Sequence, residues 1–492
     1  MASQAPGAAA ERGGRGQPDL VNGPIGRSLI VFTLPVLGAN ALQSLNGAAN
    51  AAWVSHVLGP QALAAAANAN NILFLLLGAV FGLAMAANLL IAQATGGGDD
   101  AALRRAAGTS ITFFAGLSLA AGGLGFVFAP AILSAMGAPP EVLAPAVTYL
   151  RVIFAALPCM YFFSFMMMAM RGMGDSRTPF YFALLAVALD IILNPLLIMG
   201  LGPLPRLGIA GSATATLVSQ AIALAGMIAL LYRRGSPLIP RPGGLAMLRP
   251  DIGVIRTLVF KGVPMALHMV VVSGAAVVMI SFVNAYGAVT AAAYSAALQI
   301  WTYVQMPAMA LGAAVSSMAA QNVGAGRMDR VERTAQLGVA FAFVAALGPI
   351  LLIFALEPWL LRLFLPAGSP SLAIAREINA VALWGYIPFG MAFIFAGVVR
   401  ATGAVIAPLL AMVISLWVIR IPFVWWLEPR WGEAAIWWSF PLGSTATLIL
   451  AGGYYVWGGW RSARLGPPPP RGPAPDTGQG TPALAPDEAA PV

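Results

Sequence analysis

Asp190 stands in an apolar stretch as Asp190-Ile-Ile-Leu-Asn194-Pro195. A carboxylate in such surroundings is expensive enough to mark a function by default. The spacing of four puts Asp190 and Asn194 on one helix face. Pro195 frees a backbone carbonyl one turn earlier, beside that face. A carboxyl group taken out of water holds a proton more readily, so this pair could load and release an ion. A second reading uses Arg151. Counted from the ends of their apolar stretches, Arg151 and Asp190 lie at equal depth and could form a structural ion pair. Glu377 and Arg420 offer the same option later in the chain. The sequence leaves both readings open.

Polar side chains recur nearby. Asn40, Gln43, Asn46 and Asn50 fall on one stripe of the first apolar stretch, at spacings of three, three and four. Such a stripe faces a cavity or another helix and avoids lipid. We expect Asp190, Asn194 and Asn50 to handle the ion. Gln43, Asn46, Tyr149, Ser212 and Thr216 are expected to line a substrate cavity. Asn68, Asn71 and Thr214 are weaker candidates, and Trp301 and Tyr303 read as interfacial anchors.

Other chemistry is excluded. There is no P-loop, and Lys261 is the sole lysine, so ATP does not drive this protein. No nucleophile elbow or paired acids point to an enzyme. His56, His268 and Cys159 match no metal-ligand spacing, and no cofactor beyond a coupling proton or sodium ion is expected. The net charge of +9 sits in short loops, which excludes nucleic acid as partner.

The elements that must position these residues are membrane helices. The chain is 59% hydrophobic and 9% charged, against about 25% charged in soluble domains. Twelve apolar stretches lie at 28–53, 61–92, 102–132, 141–170, 177–200, 209–232, 253–284, 289–320, 331–358, 373–400, 404–427 and 433–460. Each is long enough to cross a bilayer as a helix, and none alternates as a barrel strand would. If the N-terminus is cytoplasmic, 20 of the 26 basic residues lie on that side and four on the other, with Arg151 and Arg420 inside spans. That bias predicts a multi-pass protein of the bacterial inner membrane with both termini in the cytoplasm.

The chain also repeats. Pro35 recurs as Pro264 and Arg171 as Arg400, each 229 residues on; Gln93 and Gly96 recur as Gln321 and Gly324, 228 on. A shift of six spans keeps orientation, so the expected fold is all-α, with two pseudo-symmetric six-helix bundles as parallel repeats. The expected parts are a tail at 1–27, a first bundle at 28–232, a linker at 233–252, a second bundle at 253–460 and a disordered tail at 461–492.

These residues resemble the multidrug and toxic compound extrusion (MATE) family over about residues 25 to 460. The motifs are Leu34-Pro35, Gln93-Ala94, Arg171-Gly-Met-Gly-Asp175, Asp190-Ile-Ile-Leu-Asn194-Pro195, Gly208-Ile-Ala-Gly211, Gly262-Val-Pro264, and Ala320-Gln321-Asn322 with Gly324. The resemblance implies two bundles around a V-shaped cavity and export of small cationic or amphipathic organic compounds against protons or sodium. A flippase-like exporter of a lipid-linked or amphipathic metabolite is the alternative. Its implied partners are a small organic solute and membrane lipid, and the implied state is a monomer. Similarity is greatest to the DNA-damage-inducible-protein-like branch, whose coupling positions fall on Gln43, Asn50, Tyr149, Asp190, Asn194 and Ser212. That branch usually carries Asp where Asn50 stands, and Asn before Asp in span five. The acids of the other bacterial branch are replaced by Ser273 and Phe389.

Overall fold

The computed structural model describes residues 18–135, 140–200, 205–241, 244–366, 368–463 and 465. Twelve long helices fill them: α1 (Ile25–Leu58), α2 (Pro60–Gly96), α3 (Asp100–Ala135), α4 (Pro140–Gly172), α5 (Arg177–Met199), α6 (Ile209–Arg233), α7 (Ile252–Ala285), α8 (Ala288–Gly324), α9 (Met328–Arg362), α10 (Pro370–Ala401), α11 (Ile406–Trp431) and α12 (Ala434–Trp457). No strand occurs among the described residues. Eleven helices are long and apolar enough to cross a membrane. The exception is α8, which carries Gln299, Thr302, Gln305, Ser316, Ser317, Gln321 and Asn322. Its last turns are buried, so protein rather than lipid surrounds that polar end. The protein is thus a multi-pass integral membrane protein.

Two helices depart from α geometry. A 3₁₀ turn, Leu383–Gly385, interrupts α10. A π turn, Ile414–Arg420, lies inside α11. It takes one residue more than an α turn would, and such turns recur at functional sites.

Helices α1–α6 pack mainly on one another, as do α8–α12; α7 packs chiefly on α2 of the first half, and α1 and α2 also pack against α8. Close approach depends on glycine. A Cβ on Gly96 would lie 1.9 Å from the Gln321 carbonyl oxygen, and one on Gly324 would lie 1.9 Å from that of Gln93. The two glutamines then cross. Gln93 Nε2 donates to the Ala401 carbonyl at 2.7 Å, and Gln321 Nε2 to the Gly172 carbonyl at 2.7 Å. Each half thereby satisfies a carbonyl left free at a helix end of the other.

Residues 18–24, expected as part of a free tail, belong to this seal. Asn322 donates to the Leu20 carbonyl at 3.0 Å, Arg327 to that of Val21 at 3.0 Å and Arg330 to that of Gly23 at 2.7 Å. A turn has carbonyls to satisfy, and the end of α8 and the start of α9 supply the donors. At the other chain end, Trp460 is fully buried and stacks on Tyr455. Residues 1–17 and 466–492, the rest of the expected tails, lie outside the described residues. The linker also packs: Thr112 donates to the Leu248 carbonyl at 2.7 Å, and the Asp251 amide to Thr109 at 3.1 Å.

Every hydrogen bond between the halves that joins described residues lies at the face where both chain ends emerge. Towards the other face one side of α1 is open: a Cβ on Gly47 would meet nothing within 4 Å among the described residues, and Ala48, Ala51 and Ala52 are exposed. The apolar core divides likewise. One cluster runs through the first half and the seal. A separate one, around Tyr294, Trp301, Ile350 and Trp437, lies in the second half.

Candidate functional site

Three helices of the first half each present two polar residues four apart: Asn46 and Asn50 on α1, Asp190 and Asn194 on α5, Ser212 and Thr216 on α6. That spacing stacks each pair on one face, so the six side chains converge. Asp190 is 2% exposed. Its Oδ2 accepts from Asn46 Nδ2 at 2.7 Å and Asn50 Nδ2 at 3.1 Å, and Thr216 Oγ1 donates to Oδ1 at 3.2 Å. Asn194 Nδ2 donates to Asn50 Oδ1.

This network fixes the amide orientations by inventory. A carboxylate only accepts, so Asn46 and Asn50 must turn their NH₂ groups towards it. Asn50 then offers its oxygen to Asn194, which spends one of its two amide N–H donors on it. Oxygen atoms are left over: Asn46 Oδ1, Asn194 Oδ1 and Ser212 Oγ are buried and have no partner among the described residues. The site is an acid with two amide oxygens in surplus as acceptors, beside a serine hydroxyl that carries its own donor. A proton on the carboxyl group would relieve that surplus, and so would a hard cation, which oxygen ligands suit.

The ion-pair reading of Arg151 is corrected. Arg151 is exposed on α4, with its guanidinium 5.4 Å from the Phe126 ring centroid, and it makes no salt bridge to Asp190. Equal depth does not imply a shared face. Two residues along a helix turn the side chain by about 200°. Tyr149 accordingly points inward at 7% exposure while Arg151 points out. Glu377 is exposed as well and does not pair with Arg420.

The expected division between ion and cavity residues also changes. Asn46 and Thr216, expected to line the cavity, bond Asp190 directly. Ser212 is buried one turn from Thr216. Gln43 is exposed, apart from the cluster. The side chains of Asn68 and Asn71 lie outside the described residues.

Asp175 is the other buried acid among the described residues. It accepts from the Arg177 and Thr178 amides at 3.1 and 2.9 Å and from the Thr178 hydroxyl at 2.6 Å. It caps the start of α5 and so fixes the helix that carries Asp190. No group of three or more His, Cys, Asp or Glu side chains fit to hold a metal occurs among the described residues.

Sequence reasoning offered Arg420 only as a partner for Glu377 and missed the aromatic setting it takes in the second half. Arg420 is 8% exposed, and its guanidinium carbon lies 3.7 Å from the Phe440 ring centroid. Trp301, expected at an interface, is buried beside it and donates from Nε1 to Asn379 at 3.0 Å; Tyr303, expected there too, is 61% exposed. The available signal was Arg420 itself, one of two arginines inside a span.

Comparison with known proteins agrees with this architecture. A family model described as MatE matches residues 35–196 and again 264–426. The chain is 34% identical over 435 residues to the probable multidrug resistance protein YoeA of Bacillus subtilis, covering 88% of this chain and 94% of that one. It is 31% identical over 453 residues to the probable multidrug resistance protein YpnP of the same organism, covering 91% and 98%. Among solved structures, the outward-facing conformation of a multidrug resistance MATE family transporter of the MOP superfamily is similar in fold. Its TM-score is 0.81 at 20% identity, over 89% of this chain and 96% of that one.

Proposed function

The chain belongs to the multidrug and toxic compound extrusion family, and from that premise we propose that it is a secondary antiporter exporting small amphipathic organic compounds across the plasma membrane. A proton or sodium gradient drives it. The observation that carries this reading is Asp190: a buried carboxylate with no basic partner among the described residues, held by neutral donors from α1 and α6, beside two buried amide oxygens that meet no donor among them. A permanently charged, permanently empty acid there would be costly. One that binds a cation in one state and frees it in another is suited to coupling.

Coupling requires that ion and solute have different affinities in two facing states. The seal supplies one such state. With both chain ends in the cytoplasm, as the basic-residue bias supports, the sealed face is cytoplasmic and this conformation opens outward. Export then alternates between this state and one in which the seal parts. Helices α1, α5 and α6 all contribute to the ion site, and α1 also packs against α8 of the other half. Loading Asp190 therefore bears on a helix of the interface.

Purified protein in vesicles, with proton and sodium gradients set independently, tests this. Solute movement that follows one gradient and reverses when it is reversed is the expected result. Movement indifferent to both gradients would reject antiport.

A further inference from the structure

Helices α5 and α11 occupy equivalent places in the two halves. Pro179 and Pro408 are 229 apart, the same shift as Pro35 to Pro264. The π turn, Ile414–Arg420, adds one residue, so beyond it the shift becomes 230. Asp190 and Arg420 are 230 apart. Helices α6 and α12 agree independently. Each starts within two residues of a positive-φ glycine, Gly208 at φ 56 and Gly432 at φ 59, which are 224 apart. Thr216, which bonds Asp190, and Phe440, which stacks on Arg420, are also 224 apart. The second half thus holds a cation where the first holds an anion.

Arg420 is not neutralised by protein. Its Nε donates to Ser439 Oγ at 3.2 Å, its plane lies on Phe440, and Nη2 is buried with no partner among the described residues. No carboxylate pairs with it among the described residues. Stacking on a ring recovers part of the lost hydration, but a ring does not satisfy an N–H in the guanidinium plane. The neighbours are flat and amphipathic: Trp301 packs edge-on against Phe440 at 4.6 Å and against Tyr386 at 6.1 Å, and Tyr294 stacks on Trp437 at 6.0 Å. Phe440 is only half-buried. The box belongs to the second half's own core cluster, apart from the seal.

We propose that Arg420 and its aromatic neighbours form a subsite for the anionic group of a transported aromatic compound, a carboxylate or similar oxyanion attached to a flat ring. The oxyanion takes the free edge of the guanidinium, and the ring replaces or joins Phe440 in the stack. This rests on the reading of the chain as an exporter of organic solutes and adds a charge preference for anions to it.

Three probes sharing one ring test the subsite: 2-naphthoate, neutral 2-naphthamide and cationic 2-naphthylmethylammonium. Binding to the purified full-length protein is measured by equilibrium dialysis without any gradient, so a failure of ion coupling at Asp190 would not affect it. The wild type is expected to bind the carboxylate about tenfold or more tighter than the amide, the size of a charge-assisted hydrogen bond, and tighter than the cation. Arg420→Gln should bring carboxylate and amide to parity while leaving the amide within about twofold of wild type. Equal binding of carboxylate and amide by the wild type overturns the proposal. So does a preference that persists in Arg420→Gln. If that variant does not fold, Arg420→Lys decides: it keeps the charge but not the flat fork, and the preference must fall. An unchanged preference in Arg420→Lys also overturns the assignment.

Discussion

At the sealed face, the first half presents Gln93 and Gly96 and the second presents Gln321 and Gly324, in mirrored contacts of equal length. In mid-span the halves diverge. The first half has Asp190 among amides and hydroxyls; the second has Arg420 against Phe440, with Ala275 and Met279 on α7 where α1 carries Asn46 and Asn50. The repeat is therefore kept where the halves must close on each other. It is lost where each half faces its own interior. A pseudo-twofold seal needs matching backbones, whereas a solute and an ion need different chemistry.

The sharpest way to break the comparison is at the glycines. Gly96→Leu and Gly324→Leu each force a side chain to within 1.9 Å of a backbone oxygen. A backbone atom cannot step aside as a side chain can, so the halves must part. Each change should lower transport by about tenfold or more and admit thiol reagents to a cysteine at position 93, placed in both the variant and its control. The two changes should be equally harmful. If one is harmless, the seal is not symmetric.

Gln93→Ala and Gln321→Ala should act more gently. Each removes one hydrogen bond to a carbonyl, about 1 kcal/mol against the sealed state, or about a fivefold shift in the balance of facing states. The bonds do not share a partner, so the double variant should combine the two effects, as read by labelling from the chain-end face. The smallest effect belongs to Arg151→Gln. The residue is exposed and bonds no acid, so transport and thermal stability should stay near wild type, within about 0.5 kcal/mol. A large loss would restore the ion pair.

Much of this was legible in the residues. Helix number follows from apolar runs, and the two-half arrangement from Pro35 and Pro264. Asp190, Asn194, Asn50 and Asn46 stand out because polar groups in a span must meet one another or water. Other features depend on tertiary packing. Depth along a span could be counted for Arg151, but its face relative to α5 could not. Residues 18–24 read as tail because their partners, Asn322, Arg327 and Arg330, lie some 300 residues on. The π turn in α11 has no signature in its own residues, yet it puts Arg420 opposite Asp190 in the repeat. Trp301 reads as an anchor because rings favour interfaces, and only the fold buries it beside Asn379.

The central claim is that Asp190 loads the driving ion without a basic partner. The most direct measurement is gradient-driven transport by Asp190→Asn in vesicles, beside its thermal stability in detergent. No arginine among the described residues is left unpaired by that change; Asn46 and Asn50 can still donate to an amide oxygen, and Thr216 Oγ1 can accept from the new NH₂. The variant should stay folded, with a melting temperature close to wild type, and should lose gradient-driven transport altogether. Transport at the wild-type rate, still following the gradient, would contradict the account.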